Sequence, residues 1–137
     1  MTSHLSLSDK EFVRQFKDCS LNPALFNHEA HLRLSYIQIN KYGLEIAILN
    51  LKMHLKKYVR CFGAEEKYNE TLTEAATRSV YHFIMKSKSE IFIDFIREYP
   101  RLKTDFKSLM DSHYSDEIYN MEEAKRVFIE PDLLAFD

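Results

Sequence analysis

Apolar residues recur at intervals of three and four in the middle of the chain, which is the spacing of an amphipathic helix. They are Leu44, Ala47, Ile48, Leu51, Leu55, Tyr58, Val59 and Phe62. Gly43 precedes this stripe and Gly63 follows it, and glycine commonly ends a helix because it adopts the left-handed conformation without strain. We therefore expect one long helix between the two glycines.

Two further helices are expected before Gly43. Ser8 can cap the first, with Glu11 as its capping-box partner, and this helix should run to about Cys19. Asn27 is placed to cap the second, whose apolar residues continue towards Gly43. Both starts depend on a side-chain oxygen that accepts a hydrogen bond from a free amide in the first turn.

The second half of the chain predicts shorter helices. A fourth helix starts at Asn69 or Thr71 and ends near Ser87. A fifth helix is stopped by Pro100, and a sixth ends near Met110. A last helical turn or two is expected between this point and the C-terminal segment.

Together these elements predict an all-α fold, a single helical domain over residues 1–137. No stretch of useful length alternates apolar and polar residues as a strand would, and only 2 Gly and 3 Pro interrupt the helices. Short connections make consecutive helices antiparallel neighbours, so we expect a bundle of about five to seven helices in mainly up-down order. The apolar C-terminal segment, residues 128–136, should pack on this bundle or on a second subunit.

Composition and charge narrow the classes of function. A net charge of -2 and a pI near 6.3 leave no basic footprint, so we expect no nucleic-acid partner. No apolar run approaches the ~18 residues of a membrane span, and Met1–Ser6 lacks the regions of a signal peptide. Cys19 and Cys61 have neither metal-site nor disulfide-scaffold spacing, which favours a reduced, cytoplasmic setting. The same net charge leaves no footprint for an anionic membrane, so we expect no membrane partner.

Polar residues able to do chemistry cluster at the predicted starts of the second and fourth helices. His28 and His31 lie in the first turn of one, and Tyr68 and Glu70 lie at the start of the other. With the third helix running back between them, helices two and four point the same way, so their amino ends meet at one end of the bundle. We therefore expect these four side chains to form a small polar pocket.

His28 and His31 are three residues apart and could share a metal ion or relay protons. The positive end of the helix dipole disfavours a protonated ring, so both imidazoles should be neutral, which is the form that binds metals. Glu70 would be a third ligand or a general base, and Tyr68 would orient a substrate. The set of His28, His31 and Glu70 predicts a divalent metal site that suits Zn²⁺, Fe²⁺ or Mn²⁺.

Other interpretations of these residues stay open. Arg33 and Thr73 could contact a small polar or anionic ligand in the same pocket, although an arginine is more often a surface salt-bridge partner. Histidine and glutamate at a helix start can simply be solvated or hydrogen-bonded to backbone amides, and Tyr68 can be a core aromatic residue. An HxxH spacing alone is a weak motif, because six histidines produce one by chance easily.

Two segments of the chain resemble a known family. FNHEAHLR at 26–33 and KYNETLT at 67–73 are similar to the FxHxxHLR and YHETLT segments of a family of small bacterial helical proteins that has no assigned activity. The resemblance covers most of the chain from about Pro23 onward. The family pattern commonly has histidine where this chain has Asn69, so the resemblance implies a shared set of two histidines and one glutamate rather than three histidines.

Three functions are consistent with these observations. In the first, the protein is an enzyme whose pocket uses a divalent metal or a proton relay. In the second, it is a non-catalytic module that binds a small anion or a partner helix through the same end of the bundle. In the third, it is a structural homodimer sealed by apolar helix faces. Substituting His28 or Glu70 would reduce turnover in the first case, weaken binding in the second and change little in the third.

Overall fold

A computed structural model describes residues 3–137. The prediction that Met1–Ser6 lacks the regions of a signal peptide falls in part on Met1 and Thr2, which lie outside the described residues. This part of the chain contains eight α-helices. They are α1 (Asp9–Lys17), α2 (His28–Tyr42), α3 (Leu44–Cys61), α4 (Glu70–Ile84), α5 (Phe92–Glu98), α6 (Arg101–Thr104), α7 (Phe106–His113) and α8 (Glu122–Arg126). The all-α prediction is confirmed, although the chain after α4 divides into more and shorter helices than the five to seven expected.

Three of the predicted helices, α1, α2 and α4, begin at a residue whose side chain caps the helix. The Ser8 hydroxyl accepts a hydrogen bond from an amide in the first turn of α1, and the side-chain oxygen of Asn27 does the same for α2. Of the two candidate starts for α4, Asn69 is the capping residue, and Thr71 instead lies inside the first turn. Gly43 has a φ of 84°, in the left-handed region, and separates α2 from α3.

Helices α2, α3 and α4 contact one another and form the centre of the molecule. Between α3 and α4, Lys56 lies 3.5 Å from Glu70 and Lys52 lies 2.6 Å from Glu74, so residue numbers fall along one helix as they rise along the other. None of the helices in residues 3–137 has both the length and the apolar character that crossing a lipid bilayer requires.

Three groups of buried apolar side chains hold the helices together. The first lies between α1, α2 and α3, the second between α2, α4 and α5, and the third between α4, α7 and α8. The C-terminal segment packs on this last group through Ile129 and Phe136, which is one of the two positions expected for it. Thr71 anchors it further, because the hydroxyl donates to the Val127 carbonyl at 2.9 Å and accepts from the Ile129 amide at 3.0 Å.

Candidate functional site

Tyr68 and Glu70 are the two predicted site residues that share a hydrogen bond. The Tyr68 hydroxyl donates to Oε1 of Glu70 at 2.6 Å, while Nζ of Lys52 lies 3.3 Å from Oε2 and Nζ of Lys56 lies 3.5 Å from Oε1. Burial alone would raise the pKa of Glu70, but the hydrogen bond from Tyr68 and the two lysine charges lower it below its usual value. Glu70 is therefore an ionised carboxylate, with one hydrogen-bond donor and two lysine charges beside it, and a weak general base.

The same carboxylate belongs to a row of alternating charges along the contact between α3 and α4. Lys52 bridges Glu70 and Glu74, and Nε of Arg78 donates to the other carboxylate oxygen of Glu74 at 2.8 Å. Glu74 is buried, so a missing partner would leave a poorly solvated charge. The position and the charge of Glu70 are therefore explained by the packing of α3 against α4, and no ligand is needed to account for them.

His28 is exposed and contacts the short helices that follow α5. Its Nε2 lies 2.9 Å from the Leu102 carbonyl, to which it donates, and its ring centroid lies 4.7 Å from that of Phe106. These contacts tie the start of α2 to α6 and α7. The imidazole thus has a packing role that the sequence did not indicate, because both of its partners are more than seventy residues away.

His31 is the predicted site residue whose polar chemistry is not satisfied. Its Nε2 is buried and has no hydrogen-bond partner among residues 3–137, and its ring stacks on Phe26 with the centroids 6.3 Å apart. Burial, with a smaller contribution from the charge of His28, lowers the pKa of His31 to about 4. The ring is therefore neutral at pH 7, as predicted for a histidine at this position.

Arg33 does not face the predicted pocket. Its guanidinium donates to the backbone carbonyls of His4 at 2.6 Å and Leu7 at 2.8 Å, pairs with Asp9 at 2.9 Å and covers the Phe12 ring at 4.6 Å. The side chain is buried by these contacts. The guanidinium, which was predicted to hold an anionic ligand, binds the chain's own amino-terminal segment instead.

Thr73 and Asn69 are likewise occupied within the fold. The buried Thr73 hydroxyl donates to the Asn69 carbonyl at 2.8 Å, as threonine often does inside a helix. The Asn69 side chain accepts from the Leu72 amide and donates to the Ile118 carbonyl, both at 2.9 Å. Asparagine therefore caps α4 and ties it to the segment before α8.

The predicted metal ligands do not come together. Within the part of the chain that the structure describes, no three side chains of histidine, cysteine, aspartate or glutamate are grouped so that they could hold a metal ion. His28 reaches the carbonyl of Leu102, whereas Glu70 reaches the lysines of α3. The divalent metal at His28, His31 and Glu70 stays a prediction that this geometry does not support.

A cavity of about 490 Å³ lies elsewhere, where the C-terminal segment crosses α4 and α7. Polar, charged and apolar side chains line it, among them Ser79, His82, Lys86, Arg101, His113 and Phe136. The His113 side chain makes two of the contacts that hold the C-terminal segment over it: Nδ1 donates to the Leu134 carbonyl at 2.6 Å, and the ring stacks on Phe136 with centroids 4.1 Å apart. We call this space the C-terminal cavity.

Ser79 is the polar group of the C-terminal cavity that the fold leaves unsatisfied. Its Oγ is buried and has no hydrogen-bond partner in the described range, although a helical serine can usually bond a carbonyl one turn back. His82 pairs with Asp137 through Nδ1, but the Ser79 hydroxyl makes no bond to His82. The three residues therefore do not form a nucleophile relay, which requires that bond.

Sequence reasoning did not find the C-terminal cavity, and one local signal was available. Ser79, His82 and Lys86 recur at intervals of three and four, so they share one face of α4. A polar face on a helix is ordinarily exposed to solvent. This face lines a cavity because the C-terminal segment packs over it.

The chain matches no protein-family model, no curated protein and no solved structure with which it was compared. The resemblance to the bacterial family with FxHxxHLR and YHETLT segments therefore stays a prediction.

Proposed function

We propose that this protein is a binding module for a small organic anion, and that the ligand occupies the C-terminal cavity. One observation carries the proposal: Ser79 is a lining residue of the cavity, and its buried hydroxyl has no hydrogen-bond partner in residues 3–137. A buried hydroxyl without a partner costs about 1 to 3 kcal/mol, so a ligand that bonds it would recover this free energy. The cavity volume of about 490 Å³ lies within the range of small-molecule sites.

The charges around the C-terminal cavity favour an anion. Lys86 and Arg101 are exposed and line it. Asp137 is the acidic residue of the wall, and its carboxylate already pairs with His82. A ligand carboxylate, sulfonate or phosphate would therefore meet an excess of donors and positive charge.

The remaining walls favour a ligand that is also partly apolar. Phe83, Leu109, Leu134 and Phe136 line the same space. An aromatic or aliphatic group of the ligand could lie against these side chains while the anionic group faces Lys86 and Arg101. This division into apolar walls and few polar groups is usual for small-molecule sites.

Binding of the fluorescent probe 8-anilinonaphthalene-1-sulfonate tests the proposal, because this probe combines an aromatic body with a sulfonate. We expect saturable one-site binding to the full chain, and we expect K86A/R101A to weaken it at least tenfold. K107A removes an exposed lysine that does not line the cavity and is the matched control. Equal affinity of K86A/R101A and K107A would overturn the proposal.

A second variant separates the cavity from general surface binding. S79A removes the unsatisfied hydroxyl and adds no atom, so the fold should be unaffected or slightly stabilised. We expect S79A to weaken binding of the probe, whereas unchanged affinity would show that the Ser79 hydroxyl does not contact the ligand. Native mass spectrometry of the purified protein then reports whether a small molecule of defined mass is retained.

A further inference from the structure

Cys19 lies just after α1, at a backbone position that glycine usually occupies. The helix ends in a Schellman motif, in which the Cys19 amide donates to the Phe16 carbonyl at 3.3 Å and the Ser20 amide donates to the Gln15 carbonyl at 2.9 Å. Cys19 has a φ of 65°, and among residues 3–137 it is the one residue other than glycine with a positive φ. A side chain is strained in this conformation, so a cysteine here indicates that its thiol has a role.

The Cys19 thiol contacts the last turn of α3, where Cys61 lies. Its Sγ donates to the carbonyl oxygen of Lys57 at 3.9 Å. In an α-helix this carbonyl accepts a hydrogen bond from the amide four positions later, which is that of Cys61. The same spacing places Lys57 and Cys61 on one face of α3, so Cys61 stands on the face that Cys19 contacts. The two cysteines are therefore neighbours, although they are far apart in the sequence.

Hydrogen bonds hold the chain against α3 on both sides of Cys19. Before it, Nζ of Lys57 donates to the Lys17 carbonyl at 2.9 Å. After it, the Tyr58 hydroxyl donates to the Leu21 carbonyl at 2.8 Å. The Cys19 thiol is thus fixed beside α3, and a fixed position gives one reacting group a high effective concentration at the other.

The two thiols differ in their access to reagents. Both are free, Cys61 is exposed and Cys19 is half-buried. Burial raises the pKa of the Cys19 thiol to about 11, and the neighbouring Cys61 thiol adds to this shift. Because the thiolate is the reactive form, Cys19 reacts slowly with a reagent from solution. A reagent should therefore react first at Cys61.

We propose that Cys19 and Cys61 form a reversible disulfide with each other when the protein meets a small disulfide such as oxidised glutathione. The Cys61 thiolate attacks one sulfur of the small disulfide, which releases one small thiol and leaves a mixed disulfide on Cys61. The Cys19 thiolate then attacks Sγ of Cys61, forms the internal S–S bond and expels the second small thiol. The two protein thiols give their protons through solvent to the two leaving thiolates. The cysteines are oxidised, and the small disulfide gains the two electrons that they lose.

The internal disulfide would join the carboxy-terminal ends of α1 and α3 and close the chain over residues 19–61. Closing a loop of this length restricts the unfolded chain, so we expect oxidation to raise the Tm by about 5 °C or more. The proposal is independent of anion binding, since neither cysteine lines the C-terminal cavity.

Incubation of the reduced full chain in mixtures of reduced and oxidised glutathione tests the proposal. We expect the intact mass to decrease by two hydrogen atoms, and a digest without reductant to contain one cross-linked peptide pair with Cys19 and Cys61. R60C/C61S is the matched control, because it keeps two cysteines but moves one thiol to a different face of α3. The control should form the internal disulfide with an equilibrium constant at least tenfold smaller. Equal constants, or a wild-type chain that yields only mixed or intermolecular disulfides, would overturn the proposal.

The same equilibrium in concentrated urea separates a preformed pair from closure of a flexible chain. We expect the folded chain to form the internal disulfide at least tenfold more favourably than the unfolded chain, because only the fold fixes the two thiols side by side. Equal values in the two states would show that the fold does not bring them together.

Single variants test the order of the two attacks. C19S should stop at a mixed disulfide on Cys61, and C61S should react with oxidised glutathione at least tenfold more slowly than C19S. Glutathione should leave the Tm of C61S unchanged. Equal rates in the two variants would contradict the proposed first attack by Cys61. Circular dichroism spectra of all variants check that the helices remain folded.

Discussion

The hydroxyl of Tyr68 lies 2.6 Å from the Glu70 carboxylate and donates a hydrogen bond to it across the first turn of α4. Burial, together with this bond to a negative charge, raises the pKa of Tyr68 well above its usual value. At neutral pH the pair is therefore a neutral phenol and an ionised carboxylate. Lys52 and Lys56 complete the surroundings of Glu70, so the pair belongs to the contact between α3 and α4.

A double-mutant cycle should show that Tyr68 and Glu70 stabilise the fold together. We expect Y68F and E70Q each to lower the free energy of unfolding, and the cycle to give a coupling of about 1.5 to 3 kcal/mol, as for other hydrogen bonds to a charged group. Urea denaturation followed by circular dichroism measures all four proteins. A coupling near zero would show that the bond contributes nothing to stability.

The buried imidazole of His31 should make stability depend on pH. Its pKa is lowered from 6.5 in the unfolded chain to about 4 in the folded one, so below pH 6.5 the unfolded state binds more protons. Stability from this group is therefore complete above pH 6.5 and decreases as the pH falls towards 4, by up to about 3 kcal/mol.

The H31Q variant isolates this contribution because it removes the titrating ring. We expect the free energy of unfolding of H31Q to fall less steeply with decreasing pH than that of the wild type. Part of the slope should remain, since burial also lowers the pKa values of His4 and His54. Denaturant titrations at closely spaced pH values give both curves, and two parallel curves would contradict the prediction.

Arg33 should matter for stability far more than for any ligand. R33A would leave the Leu7 carbonyl without its donor, would leave the His4 carbonyl with the Leu7 amide alone, and would uncover the ring of Phe12. We expect a loss of about 2 to 4 kcal/mol, in the range found when one partner of a buried charged contact is removed. R33K should recover only part of it, because an ammonium group cannot reproduce the geometry of the planar guanidinium.

Thermal and urea unfolding measure the Arg33 variants, with R14A as the control. Arg14 also makes two ion pairs, to Glu11 and Asp18, but its side chain is 57% exposed. Such surface pairs contribute about 0 to 1 kcal/mol, so R14A should stay close to the wild type. Equal effects of R33A and R14A would show that burial does not distinguish the two arginines.

Metal content tests the ligand set of His28, His31 and Glu70 directly. From the separate contacts of His28 and Glu70 we expect the chain, purified without an affinity tag, to hold no stoichiometric Zn, Fe or Mn. Elemental analysis before and after soaking with each ion makes the measurement. One equivalent of metal that is lost in both H31Q and E70Q would contradict this expectation and restore the predicted site.

The starts of the helices were readable from the sequence because capping is local. Ser8, Asn27 and Asn69 each accept a hydrogen bond from the amide three residues ahead, so the neighbouring residues contain the whole interaction. The stripe of α3 was readable for the same reason, since helical spacing assigns its buried side. The all-α class follows from the sum of such local preferences.

The candidate site was only partly readable. Tyr68 and Glu70 are two residues apart and share a hydrogen bond, and His31 is neutral because burial lowers its pKa, not because it lies at a helix start. The position of Arg33 beside the histidines in the sequence predicts a contact with the pocket. Its side chain instead bonds the carbonyl of His4, twenty-nine residues away. The spacing of residues along a helix gives the face of a side chain but not the segment that covers that face.

The tertiary structure alone decided where a cavity forms. Ser79 faces a cavity because the C-terminal segment, more than fifty residues later, crosses α4 and is held there by His113. Short-range preferences are set by the hydrogen bonds and sterics of adjacent residues, so they persist whatever the rest of the chain does. Which buried polar group lacks a partner depends on how segments that are distant in the sequence pack together. The free energy of that packing depends on many residues at once, so no short stretch of sequence determines it.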